Sequence, residues 1–506
     1  GSDMRILYMP LDERPCNRKF PMMLASGCGV ELITPPQSLL PDKKRPGDCA
    51  ALHEFLLDQA KLCNAAVIAI DLLVYGGLIP SRLHHLGADE VLERLDVIRE
   101  LRLRNPTLRI YVASTIMRAP SYDSSEEEPD YYARYGRMLF RRAWLTDRKQ
   151  REGLDESEQD ELANIAVPQS VIDDYEHRRS VNLAVNRACL RLVEQGAVDY
   201  LILPQDDSSP YGYTARAQRS LQRSICAQHL MRKVAMYPGS DEVGQTLVSR
   251  AICDVMERHP VIRARYSGEY GAGIVPSYED RPLRETVLRH IRAAGARVWD
   301  GCSGADIELL VNVPGRRMQE ASQAIDGRDV TYDSYRNLPA FIDTIERLLV
   351  QERTVALADS AFANGGDPLL VDELDRDGMI PALTSYAGWN TNGNTLGTSI
   401  SQAVAAQVRG TDTDRRMLNV NVAYRIIEDV FYQSIVRWQV DAQVSDHGGS
   451  YQDIGVCRRW AEDHTRNLLQ HMVDETMLSK ALPLQVARVS FPWRRLFEID
   501  MNLEIT

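Results

Sequence analysis

Short apolar runs and segments of helical spacing alternate along most of the chain. The first run, Arg5 to Pro10, gives way to the polar loop Leu11 to Asn17, and a second, Val30 to Thr34, stops at Pro35-Pro36. Leu52, Phe55, Leu56 and Ala60 recur at helical spacing over 50–63. Ala65 to Asp71 then forms a continuous apolar run, the kind a sheet covered on both faces buries. Helical spacing returns over 88–104, and a strand is predicted over 109–115. Further on, helices are predicted over 181–195, 214–230, 243–257, 281–294, 339–350 and 398–408. Strands are predicted between them over 201–205, 233–237, 261–266, 296–299, 307–312, 354–359 and 382–386.

Such alternation predicts a mainly parallel sheet. Eight or nine strand candidates suit an α/β fold of the (β/α)8, TIM-like barrel type, with one strand irregular or extra. A doubly wound open sheet is the rival. It predicts a glycine-rich phosphate turn after the first strand, where Asp12-Glu13-Arg14-Pro15 stands instead. The texture changes twice. Residues 121–180 are charged, rich in Tyr and Arg and broken by Ser124 to Pro129, which reads as a helical insertion serving as a solvated face or a lid. Residues 411–506 are helical and amphipathic with a β ending. The expected organisation is a barrel over 4–410 and a small, mostly helical C-terminal subdomain over 411–506. No repeat of fixed period is visible.

Composition narrows the function classes. The 506 residues are 44% hydrophobic and 26% charged, with a formal net charge of -12. That charge disfavours nucleic acid and anionic membranes as partners, since both select a basic face. No apolar run approaches the length that spans a bilayer. Gly1-Ser2-Asp3 reads as an expression remnant, and the segment from Met4 carries no basic-plus-apolar signal, so a cytoplasmic location is expected. The nine cysteines are scattered and form no C-x-x-C pair, which indicates reduced thiols rather than a disulfide framework or a zinc knuckle.

Polar residues gather just after the strands. Asp12, Glu13 and Arg14 follow the first; Asp71 and Tyr75 the next long one; then Arg118, Asp206-Asp207, Asp241-Glu242, Glu269, Asn312, Asp359 with Asn364 and Asp367, and Tyr386 with Trp389, Asn390 and Asn394. In a parallel barrel all strand ends open on one face, which carries the active site. Turns and helix caps also need Asp, Asn and Gly, but they do not call for Tyr, Trp and Arg. Asp206-Asp207 carries the most chemistry. Adjacent residues point to opposite faces of a strand, but beyond its end both side chains can reach one cavity. Two carboxylates that close push one pKa up, giving a proton donor beside an ionised group. An Asx turn is the alternative. Trp389 with Asn390 and Asn394 pairs an aromatic platform with amides, a combination that suits sugar rings; a core Trp with turn asparagines is the plainer reading. Nucleophile-elbow, zinc-protease, P-loop and dinucleotide signatures are all absent.

The segments Leu11 to Asn17, Asp71 to Arg82, Gln205 to Gly212 and Tyr386 to Asn394 resemble, nearly over the full length, a bacterial family known only as domain of unknown function 4127. The order of motifs is also similar to family 84 glycoside hydrolases, the O-GlcNAcase-like enzymes. Asp206-Asp207 matches their Asp-Asp, Tyr237 to Glu242 echoes a second motif, Tyr266-Ser267-Gly268 a third, and Tyr386 to Asn390 is one residue longer than a fourth. That resemblance implies Asp206 orienting a 2-acetamido group, Asp207 as general acid/base and Asn390 holding sugar hydroxyls. The second motif lacks its Thr-Glu-Tyr, and Tyr266 stands for a Trp.

The expectation is a carbohydrate-active hydrolase, glycosidase-like and needing no cofactor, with Asp206 and Asp207 catalytic. Asp12, Glu13, Arg14, Tyr75, Arg118, Asp241, Glu242, Asp359, Asn364, Tyr386, Trp389, Asn390 and Asn394 would line a small-molecule or oligosaccharide site. A non-catalytic sugar- or polyol-binding protein is one rival. A metallohydrolase using Asp12, Asp71, Asp206 and Asp359 is the other.

Overall fold

The computed structural model describes residues 3–506. Six strands, β1 (Met4–Met9), β2 (Val30–Ile33), β3 (Ala65–Ala69), β4 (Arg109–Ala113), β5 (Tyr200–Gln205) and β6 (Val234–Pro238), form one sheet in the order β2-β1-β3-β4-β5-β6. From β1 to β6 the neighbours run parallel. Then come β7 (Val261–Tyr266), β8 (Arg297–Val298), β9 (Ile307–Asn312), β10 (Gln319–Glu320), β11 (Thr354–Asp359), β12 (Phe362–Ala363) and β13 (Ser385–Ala387). β10 and β12 make a short ladder of their own, and the other five form a second parallel sheet in the order β13-β11-β9-β7-β8. β14 (Leu484–Ser490) and β15 (Asp500–Ile505) pair antiparallel as the expected β ending.

Neither sheet closes, since each order ends in strands with a single neighbour. The α/β alternation and the parallel pairing are as expected; the closed ring of eight is not found. In its place stand two open sheets of six and five strands. Counted from its own first strand, each runs second-first-third-fourth-fifth, the doubly wound order in which the first connection goes one way and the rest the other. The physical reason lies in the second strand of each set. β8 is exposed at both residues and β2 is buried only at Val30, so neither can sit between two neighbours in a covered sheet. β3, β5 and β9, by contrast, are buried at every position and lie inside.

The chain divides into two compact units. The first holds Met4–Glu13 and Leu32–Leu247; the second holds Arg14–Glu31 and Val248–Thr506. Each has its own apolar core. The first is built on Leu7, Ile68, Val112 and Leu201 with the helices flanking them, the second on Leu310, Leu357, Val436 and Leu469. Residues 411–506 lie within the second unit. The segment 121–180 is mostly helical as expected, with helices Tyr132–Arg151 and Glu156–Asn164 and the start of Gln169–Glu194 between β4 and β5. Among the described residues no helix is long and apolar enough to cross a membrane.

Candidate functional site

In a doubly wound sheet, ligands bind outside the carboxyl ends of the strands. In the first unit those ends carry Asp12 and Glu13 after β1, Asp71 after β3, Thr115 to Arg118 after β4, Asp206 and Asp207 after β5, and Ser240 to Glu242 after β6. β3 leads directly into helix Ile70–Tyr75, which places Asp71 in the first turn. The helix stops at Gly76, whose φ of 87° is the left-handed cap a glycine adopts without strain. A Cβ there would lie 2.7 Å from Pro46 and 2.8 Å from the Gly47 nitrogen. A second short helix, Leu78–Leu83, then delivers Arg82.

Arg82 organises this rim. It is 2% exposed, and its guanidinium lies 2.6 Å from Asp206 Oδ2. It also stands 3.6 Å from Glu127 and 3.7 Å from Glu128. Arg118 holds Glu128 at 2.6 Å and donates to the Tyr122 hydroxyl. Ser240 Oγ donates to Asp206 Oδ1 at 3.3 Å. Lys43 pairs with Glu126 and Lys44 bonds the Ser125 carbonyl, so the acidic stretch Ser125 to Glu128 is held at its start by these lysines and at its end by Arg82 and Arg118. Lys43 also donates its backbone N–H to Glu13 Oε2 at 2.7 Å.

Asp207 has a different environment. Its Oδ2 accepts from the Ala119 amide and the Thr214 hydroxyl, both at 2.7 Å, while Oδ1 accepts only a long 3.4 Å bond from the Ser209 amide. Burial raises its pKa, against the pull of the Ala119 and Thr214 bonds. Asp71 is buried more deeply. Desolvation lifts its carboxyl to about 6 despite bonds from Thr115 and the charge of Arg82, and Asp206 adds to the rise. Tyr75 is buried with its hydroxyl unpartnered and its ring stacked on His84 at 4.6 Å. Glu242 is fully buried, and Asp241 is half-buried beside it.

The other expected residues lie in the second unit. Arg14 sits with its guanidinium 4.5 Å over the Trp493 ring. Asp359, at the end of β11, accepts from the Tyr386 hydroxyl at 2.7 Å, the Asp367 amide at 2.8 Å and Asn312 Nδ2 at 3.0 Å. Arg336 bonds Asp367 and Asn312. Asp429, Glu428 and Arg425 come from one long helical stretch, whose middle, Ile427–Val436, is π-helical, a geometry frequent at functional sites. Burial and neighbouring acids push Asp359 to about 7 and Asp429 to about 8. This network is sealed: Asp359, Asp367 and Asp429 have no exposure at all.

Trp389 is likewise interior, 4% exposed, with its indole N–H given to Thr398 and its ring edge-on to Phe20 at 5.8 Å. It offers no face to a sugar, and the core-tryptophan reading replaces the platform. Asn394 completes a capping box with Thr391, Asn364 bonds Glu320, and the Asn390 carbonyl accepts from the Asn364 amide. These are the turn and cap roles that asparagine fills well. A cleft of about 540 Å³ in this unit is walled by Leu369, Val430, Phe431 and Met472 and contains none of the expected residues.

Arg82 had no expected role, and Asp71 was expected only as a metal ligand. The signal for Arg82 was its place inside the apolar run Leu78 to Leu83, where an arginine must find a partner. Among the described residues, no group of three or more His, Cys, Asp or Glu side chains is placed to hold a metal ion, so the Asp12, Asp71, Asp206, Asp359 set has no geometric support.

Fold and strand-end chemistry define an α/β protein of two doubly wound sheets, the larger bearing a salt-bridged carboxylate cluster at its carboxyl end. The chain belongs to the family described as protein of unknown function DUF4127, whose model matches residues 6–502. Comparison with curated proteins and with solved structures gave no match, and the similarity to family 84 glycoside hydrolases is not shown.

Proposed function

We propose that the chain is a carboxylate-dependent hydrolase, glycosidase-like in chemistry, acting at the carboxyl end of the six-stranded sheet. The observation that carries this reading is the asymmetry of the Asp206-Asp207 pair. Asp206 is clamped at 2.6 Å by a buried guanidinium, whereas Asp207 is desolvated, has a raised pKa and keeps one oxygen only weakly engaged. A carboxyl with a raised pKa beside a second carboxyl held by a cation is the arrangement acid–base hydrolysis uses. In this scheme Asp207 protonates the leaving-group oxygen from Oδ1 as the scissile C–O bond breaks. Asp206 takes the proton of the attacking water. Arg82 and Ser240 position Asp206, and Thr214 and the Ala119 amide position Asp207.

The sugar-binding reading rested on Trp389 and the asparagines, which are engaged in the core and in caps. A panel of aryl glycosides, with and without a 2-acetamido group, tests the hydrolase reading. Turnover of at least one should fall about a hundredfold or more in Asp207→Asn with the fold intact, the size typical of losing a general acid. Undiminished turnover in that variant refutes the assignment.

A further inference from the structure

A second cleft in the first unit, of about 410 Å³, lies between helices Gln169–Glu194 and Tyr213–Ala227. Its charge is out of keeping with a chain of net charge -12. Arg179 lines it from one helix, and Arg216 and Arg223 from the other. Arg216, Ser220 and Arg223 follow one another at i, i+4 and i+7, which puts them on one helical face. Arg187 reaches the same face by donating to Ser220 Oγ.

Among the described residues, none of these arginines has an ion-pair partner. Arg216 and Arg223 are exposed and make no side-chain hydrogen bond or salt bridge. Arg179 is half-buried and held by uncharged acceptors, the carbonyls of Arg118 at 2.9 Å and Met117 at 2.7 Å and the Thr214 hydroxyl at 3.5 Å, with its guanidinium 5.2 Å over the Tyr213 ring. Its charge is felt by Asp207, which is already tied to Ala119 and Thr214. The one acid in the lining, Glu176, is occupied by the Tyr213 hydroxyl at 3.0 Å and lies 3.7 Å from Arg142. Behind the arginines the walls are Ile116, Met117, Leu183 and Ala217, apolar enough to pack an organic body.

We propose that this cleft is a binding site for a small phosphate-bearing molecule. Arginine forks pair with phosphate oxygens two at a time, and a pre-positioned guanidinium loses little freedom in doing so. The volume is that of a small-molecule site rather than of a polymer track. The acidic surface elsewhere repels an extended polyanion.

Titration calorimetry of the full chain with inorganic pyrophosphate at low salt tests the proposal. One saturable site per chain is expected, weakened about tenfold or more in the Arg216→Ala/Arg223→Ala variant. The Arg216→Lys/Arg223→Lys variant should bind with intermediate affinity. Both residues are exposed, so an unchanged melting temperature will show that the variants fold. Absence of saturable binding by the unaltered chain, or equal affinity in the alanine variant, overturns the proposal. So does tighter binding of a single-stranded oligonucleotide than of pyrophosphate.

Discussion

Replacing Asp71 by Asn should stabilise the first unit, and more at pH 8 than at pH 5. The carboxyl is 3% exposed, and burial is the largest influence on it, raising its pKa from 3.8 to about 6. In the unfolded chain the same group ionises near 4. Between those values the folded state binds the proton more tightly, so stability falls as pH climbs from about 4 to about 6 and levels off above. About two pH units correspond to roughly 3 kcal/mol at pH 8 and about half that at pH 5. Asparagine keeps the shape, and its carbonyl oxygen can still accept the Thr115 amide bond now made at 3.2 Å. Its amide group needs a partner of its own, which takes back about 1 kcal/mol. The net gain is about 1–2 kcal/mol at pH 8, with a difference of roughly 1.4 kcal/mol between the two pH values. Scanning calorimetry at pH 5 and pH 8 reads this as a rise in melting temperature of about 2–4 °C per kcal/mol for a unit of this size. An equal displacement at both pH values would show that Asp71 gives up its proton as an ordinary carboxyl does, and the reasoning would fall. A gain at pH 8 would identify a group retained at a cost to stability, as residues kept for function are.

Arg82→Met should cost roughly 2–4 kcal/mol, somewhat under the loss for a fully buried pair because Asp206 stays partly exposed. The Arg82→Met/Asp206→Asn double variant should recover part of that loss in a urea-denaturation cycle, and strict additivity would mean the 2.6 Å contact carries no coupling. Trp389→Ala should destabilise by about 3–5 kcal/mol, as loss of a core aromatic does; a change in glycoside affinity with no loss of stability would restore the platform reading. Gly76→Ala should cost at least about 1–2 kcal/mol, since it forces a left-handed φ and drives a Cβ into Pro46 and Gly47. A melting temperature equal to that of the unaltered chain would refute that cost.

Most elements were legible because their signals are local. The continuous apolar runs at Ala65–Ala69 and Ile307–Asn312 became interior strands, and the helical spacing over 339–350 became Leu338–Val350, capped by Asn337. Closure was not legible, because alternation of strand and helix fixes parallel pairing without saying on which side of the first strand the second will lie. That depends on weak, half-polar strands such as Val30–Ile33 and Arg297–Val298, whose exposure keeps them at the edges. The site was legible in part for the same reason. Asp206-Asp207 stood out at the mouth of a buried strand. Arg82 was hidden because it sits in the second of two six-residue helices that follow β3, each too short to show helical spacing. Trp389 misled because an aromatic beside asparagines looks alike in a binding loop and in a helix cap packed on a core.

The two strand-end clusters differ in a way that supports placing the proposed chemistry in the first unit. In the second unit, Asp359, Asp367, Glu428 and Asp429 face Arg336 and Arg425 with almost no exposure. Asp359 is met entirely by donors, from Tyr386, Asp367 and Asn312. Asp429 accepts the Gly388 amide, and its backbone carbonyl accepts that of Gly366. The Tyr386 and Asn312 bonds tie β13 and β9 to β11, the Asp367, Gly388 and Gly366 bonds fasten loop residues to the sheet or to the π-helical segment, and Asp359, Asp367 and Asp429 are closed to solvent. In the first unit the balance is reversed. Asp206 keeps 15% of its side chain exposed, and Asp207 leaves one oxygen nearly free. The same doubly wound plan therefore anchors loops in one unit and presents carboxylates in the other. Of the two clusters, the proton exchange proposed above is therefore assigned to the Asp206-Asp207 pair.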